Sequence, residues 1–236
     1  MIFFSISYLI DKKYQSLFNK NLVFLIFKNC ILKSGGTTMG LSIHYSGSIA
    51  KPELLADLIE DLEDIAKLYE WEYKVYERQF PVNSFGKRDY NQEIHGISFT
   101  PPGCETIFVT FLSNGRLCSV PGFLFWAKTK DRQESKYLYM LSVKTQYAGI
   151  EAHMLIIQLF RFLNKKYFVD FKMTDEGEFW ETNDENILQS NFQEYEHLIN
   201  SFATALQTCP IKTGEDIESY LERLMKLIRD KKMREE

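Results

Sequence analysis

The stretch "GIEAHMLIIQLFRFLNKKYFVDFKMTDE", residues 149–176, contains the change of hydrophobic period on which the fold depends. From Gly149 to Tyr167 large apolar residues recur at three- and four-residue steps, which predicts an α-helix. They occupy more than one face, so this helix is expected to be central and covered on two sides. From Phe168 to Glu176 apolar and polar residues alternate instead, the period of a half-buried strand. A strand upstream, at the end of "GFLFWAKTKDRQESKYLYMLSVKTQ" (122–146), completes a β-α-β piece over 138–175.

A second such piece occupies 41–77. "LSIHYSG" (41–47) alternates as a strand, and "PELLADLIEDLEDIAKLY" (52–69) predicts a helix with Pro52 in its first turn and Leu55, Leu58, Ile59, Leu62, Ile65 and Ala66 as the buried stripe. "WEYKVYERQF" (71–80) predicts another strand. The similar length and layout of the two pieces suggest weak pseudo-symmetry. Between them "PVNSFGKRDYNQ" (81–92) reads as a loop, and "ETIFVTFLSNGRLCSV" (105–120) as a hairpin turning on Asn114-Gly115, which suits a type I′ turn. The segment 122–146 is expected to be strand, charged loop and strand.

Two helices are expected to close the chain. "TNDE" (182–185) has the capping-box form and should open a helix through about Leu206. Thr213 is placed as cap of a second helix, with Ile217, Tyr220, Leu221, Leu224, Leu227 and Ile228 on one stripe. The expected class is α+β: a mostly antiparallel sheet with helices on one face over 39–182, and C-terminal helices over 183–236 packed on the same domain. Trp71, Tyr73, Tyr76, Phe99, Phe108, Phe111, Trp126, Tyr137 and Tyr139 give the strands more aromatics than one covered face needs. The second face would either hold a ligand or partner or be covered by the C-terminal helices.

Residues 1–38 differ from the rest. Of these, 25 are Phe, Tyr, Ile, Leu, Asn or Lys, whose codons are rich in A and T, and Gly35-Gly36 can be encoded as GGAGG two codons before Met39. Both signs point to a mis-called start, with Met39 the first residue. The apolar runs "MIFFSISYLI" and "LVFLIF" lack a preceding basic region, and neither approaches the roughly 18 residues needed to span a bilayer. From Met39 on there are 23 Lys and Arg against 31 Asp and Glu, a net charge of −8 where the whole chain has −4. Such acidity disfavours nucleic acid as a partner. Cys104, Cys118 and Cys209, an odd and scattered set, fit reduced thiols in a cytoplasm.

Two segments are dense in polar residues that secondary structure alone does not require. In "VKTQYAGIEAH" (143–153) Thr145, Gln146, Tyr147, Glu151 and His153 surround a strand-to-helix turn. In "TDEGEFWET" (174–182) Asp175, Glu176 and Glu178 flank Gly177 and Trp180, an arrangement that serves equally as a turn or as carboxylates beside an aromatic. Glu151 and His153 are two apart, on different sides of a helix, so they do not share a metal. His44, His95 and His153 lack ligand spacing, no GxSxG is present, and no metal or cofactor is expected.

"KTQYAGIEAH" followed by "DEGEFWETNDE" resembles a group of uncharacterised bacterial proteins of similar size, over Met39 to about Asn191. That resemblance implies a bacterial cytosolic setting and no residue roles. The expected function is binding without chemistry, of a protein partner or a small ligand, as an immunity protein or antitoxin neutralises a basic partner; no membrane is involved. The alternative is a hydrolase using Glu151 or His153 with Asp175, Glu176 or Glu178.

Overall fold

The computed structural model describes residues 41–129, 131 and 134–235. The expected start at Met39 and the segment before it lie outside the described residues. The chain divides into two compact units, and the first runs through Glu196. The start of the penultimate helix therefore falls in the same unit as the sheets.

Within the first unit, β1 (Ser42–Ile49) is followed by α1 (Leu54–Leu68), β2 (Glu72–Val75), β3 (His95–Thr100) and β4 (Ile107–Phe111). Then come α2 (Val120–Trp126), a 3-10 segment (Glu134–Tyr139), β5 (Leu141–Lys144), α3 (Ile150–Lys166), β6 (Phe168–Asp175), the single turn α4 (Phe179–Thr182) and the start of α5 (Glu185–Thr208). The strands form two antiparallel three-stranded sheets, β5-β1-β6 and β2-β3-β4. One core joins them: Leu55, Leu58, Ile59 and Leu62 of α1 and Ile156, Ile157, Phe160 and Leu163 of α3 pack against Ile43, Tyr45, Ile97, Phe99, Val109, Phe111 and Val143 of the strands. The fold is α+β, with α1 and α3 packed on the inner face of the sheets.

Both β-α-β pieces form, and they close differently. β5 and β6 flank β1, each antiparallel to it, so α3 carries the chain across β1 and back into the same sheet. α1 instead carries the chain from one sheet to the other. β1 shifts register between Ser46 and Ser48, and beyond that irregularity its backbone meets the β4 turn: Leu117 N donates to Gly47 O at 2.9 Å and Ile49 N to Gly115 O at 2.9 Å. Deeper in the core the Tyr45 hydroxyl donates to Phe108 O at 3.0 Å and accepts from Phe108 N at 3.2 Å, so one buried phenol also joins the two sheets.

α3 is covered from two directions, by the sheets and, at its start, by α5, whose Phe192 ring lies 5.6 Å from His153. Its remaining flank, Glu151, Gln158 and Phe162, stays exposed. At its far end Asp61 of α1 accepts hydrogen bonds from Lys166 Nζ at 2.7 Å and the Tyr167 hydroxyl at 2.6 Å.

Four local expectations need correction. The segment after the β4 turn is helix α2 and not a strand, because the Ser119 hydroxyl accepts from Gly122 N at 3.0 Å and Pro121 sits in the first turn. That cap outweighs the apolar run that follows. The β4 turn is not type I′: Gly115 takes φ 86°, while Asn114 stays in the ordinary region and its side chain accepts from Arg116 N at 3.1 Å. α5 is capped by Asp184, whose Oδ1 accepts from Asn186 N at 2.8 Å, since Thr182 is committed to α4 through a hydrogen bond to Glu178 O at 2.6 Å. The final helix, α6 (Ile217–Glu235), is capped by Asp216 and not Thr213; Asp216 accepts from Ser219 N at 2.9 Å.

In the second unit the loop between α5 and α6 is held by Arg223. Its guanidinium donates to Glu215 at 2.7 and 2.8 Å, to Pro210 O at 3.1 Å, and to Cys209 Sγ. Hydrogen bonding from Arg223 and the Lys212 backbone pulls the Glu215 carboxyl down to about 2.

Candidate functional site

The turn leaving β6 begins with Asp175 and is shaped by that carboxylate. Gly177 N donates to Oδ1 at 2.8 Å, and Phe179 N and Trp180 N donate to Oδ2 at 2.8 and 3.1 Å. An Asp followed two residues later by Gly is a familiar local turn, and here it also caps the helical turn that follows. Glu178 completes the turn in a left-handed conformation at φ 60°. Asp175 N in turn donates to Glu181 Oε1 at 3.1 Å. "TDEGEFWET" is therefore a turn that leads from strand into helix.

Three of the candidate residues meet behind that turn. His153, one turn into α3, places Nε2 3.1 Å from Asp175 Oδ2 and Nδ1 2.6 Å from Thr145 Oγ1. Thr145 and His153 are fully buried and Asp175 is 3% exposed. Burial pushes the Asp175 carboxyl up, but the hydrogen bond and charge of His153 and the amides of Gly177 and Trp180 outweigh it and hold it below the usual carboxylate range. An ionised Asp175 accepts the proton on Nε2, so a neutral imidazole has Nδ1 free to accept from the Thr145 hydroxyl. Gly177 leaves room for the ring. A Cβ there would lie 3.0 Å from His153 Nε2 and 2.6 Å from Leu188 Cδ1.

Hydroxyl, imidazole and carboxylate in line are the ingredients of a nucleophilic relay. In this conformation the core, the turn and α5 enclose all three, so no substrate reaches Thr145 Oγ1. What the chain of contacts does is fasten the end of β5, the start of α3 and the end of β6 together.

The other candidates lie apart from that cluster. Glu176 turns the other way, accepting from Ser42 N at 2.8 Å and approaching the half-exposed His44 at 3.5 Å. Glu151, Glu178 and Tyr147 are exposed. Trp180 packs edge-on against Phe171 and beneath Arg161, whose guanidinium also donates to Phe179 O at 2.9 Å. Gln146 Oε1 is buried with no hydrogen-bond partner among the described residues. The histidines stand apart: His95, 1% exposed on β3, packs against Phe80 at 5.0 Å and belongs to a different sheet from Asp175. Among the described residues no group of three or more His, Cys, Asp and Glu is placed to hold a metal.

A second candidate surface lies on the sheet face where the surplus aromatics led a ligand or partner to be expected. On the outer face of β2-β3-β4 an open groove of about 360 Å³ is lined by Tyr73, Lys74, Tyr76, Thr100, Phe108 and Pro121, among others. Its floor is polar, with Tyr76 Oη 3.4 Å from Ser98 Oγ and Thr100 Oγ1 2.9 Å from Thr106 Oγ1. At one end stands α2, which buries none of its residues and leaves Leu124 and Phe125 about three-quarters exposed, at 75% and 76%. Tyr137 and Met140 beside it are also exposed, and Trp126 packs on Tyr137 at 5.3 Å. Of the strand aromatics, Trp71, Phe99 and Phe111 are core, Tyr76 and Phe108 face the groove, and Tyr73, on the opposite face of β2 beside Phe99, borders it at the sheet edge. Trp126, Tyr137 and Tyr139 lie on helical segments instead of strands.

No helix among the described residues is long and apolar enough to cross a membrane. No protein-family model matches the chain, and neither does any curated protein or solved structure.

Proposed function

We propose that this is a binding protein of the bacterial cytoplasm whose partner is another protein, docking on α2 and the adjoining groove. The observation that carries the reading is the pair Leu124 and Phe125. Both stand in solvent on a helix whose opposite side, Phe123 and Trp126, packs on the small cluster of Leu112, Cys118 and Leu138, and contiguous exposed apolar surface beside a polar-rimmed groove marks a contact site. The net charge of −4 and the solvent-facing acids Glu53, Asp57, Glu60 and Asp64 of the α1 region favour a basic partner, as an immunity protein or antitoxin would have. The test is capture of a partner by the wild-type chain beside the double variant Leu124→Ser, Phe125→Ser. Binding should be lost in the variant with its thermal unfolding unchanged; equal capture by both would remove this surface from consideration.

The hydrolase reading has one observation in its favour, the in-line contact of Thr145, His153 and Asp175. It requires the turn at 175–178 to open. Covalent labelling of Thr145 by an acylating or phosphonylating reagent would support it, and complete protection of Thr145 in the folded protein would count against it.

A further inference from the structure

We infer that a second copy of this chain docks on the free edge of β2, antiparallel, with the two-fold axis at Tyr73. β2 ends its sheet, and no described strand lies beyond it. Tyr76 N donates to Gly96 O at 2.9 Å, and β2 pairs with β3 in unbroken register from Glu72 to Val75. Antiparallel alternation then turns the backbone groups of Glu72 and Lys74 toward β3 and those of Tyr73 and Val75 toward the open edge. A second β2 centred on Tyr73 meets those groups in register, with the two Tyr73 residues exchanging both N–H···O bonds.

The side chains fit the same axis. In that register Glu72 of one copy stands opposite Lys74 of the other, and Lys74 opposite Glu72, on one face and at the closer, non-hydrogen-bonded spacing. Both side chains are exposed, and neither has an ion-pair partner among the described residues. Charges on a short edge strand commonly guard it against pairing. A single sign would do so here, whereas opposite signs two residues apart are self-complementary in an antiparallel pair. On the other face Tyr73 is 39% exposed although its cross-strand neighbour Phe99 is 1% exposed, because no described strand covers its outer side. Tyr69 and Leu68, 47% and 77% exposed and just ahead of β2, add apolar surface near that edge.

A four-residue strand makes a small interface, so the association is reversible and concentration-dependent. The edge borders the groove through Glu72, Tyr73 and Lys74 but does not include Leu124 or Phe125, so the Leu124→Ser, Phe125→Ser variant should dimerise like wild type. Sedimentation of the full chain at low salt, over concentrations up to about 1 mM, tests it. Wild type should pass from monomer to dimer. Glu72→Lys alone and Lys74→Glu alone each place like charges opposite, and each should weaken the dimer about tenfold or more. The two single variants mixed should pair with each other, and the double exchange should restore self-association. A wild-type chain monomeric throughout overturns the inference. So does a dimer indifferent to both single exchanges, or a double exchange that fails to restore it.

Discussion

His153 Nε2 lies 3.1 Å from Asp175 Oδ2, and the same carboxylate accepts three backbone N–H groups of the turn that follows it. A buried anion so placed holds a helix start, a strand end and a tight turn in one arrangement.

Removing that anion leaves its donors stranded. Asp175→Ala is expected to cost about 3–5 kcal/mol in denaturant unfolding, the usual penalty for breaking one partner of a buried charged network. Asp175→Asn keeps the turn acceptors but loses the charge, and should cost less.

The pH dependence has two parts. Burial lowers the pKa of His95, offset only in part by the Gln79 main chain and the charges of Glu93 and Glu77, and neither ring nitrogen has a well-formed hydrogen bond among the described residues. Its folded pKa lies below the unfolded value of about 6.5, so the unfolded chain takes up the proton first and stability falls as pH drops through that value. His95→Phe, beside Phe80, should flatten the slope of Tm between neutral and mildly acid pH. Asp175 acts lower: its depressed pKa gives stability that is full above the unfolded value of about 3.9 and lost as pH falls through the folded one. A wild-type Tm with no slope near pH 6 would contradict the His95 part.

Space at Gly177 is the third test. Its Cβ would come within 2.6 Å of Leu188 Cδ1, so Gly177→Ala should destabilise by about 1–3 kcal/mol through overpacking. In a double-mutant cycle Leu188→Ala should relieve part of that cost. Strict additivity of the two would show that the contact is not the cause.

Tyr45→Phe removes the hydroxyl between the sheets and leaves Phe108 N–H and C=O without their partner in the core. A loss of about 1–3 kcal/mol in chemical denaturation is expected, with the far-ultraviolet circular dichroism unchanged. A neutral effect would mean water replaces the phenol.

The α+β class, α1, α3, β6 and the final two helices were legible because each rests on a periodic run of side chains whose burial pattern repeats within one element. α2 was misread because its apolar run outweighed a Ser119-Pro121 start that is only a few residues long. Thr145, His153 and Asp175 were all recognisable as unusual polar residues, and the sequence could not say that they meet. A second sheet face rich in aromatics was legible, but the groove itself had no local signature, since Lys74, Thr100 and Phe108 come from three strands and share a face only after pairing.

By itself, then, the sequence determined the class, the order of the long elements, the acidic balance and the list of polar residues in need of explanation, because periodicity, capping and charge are local properties. Only tertiary structure decided that Asp175 and His153 form a closed network while Glu151 and Glu178 face solvent, and that β2 ends a sheet. Burial and strand order depend on which distant segments pack together, and that is settled by the whole core at once.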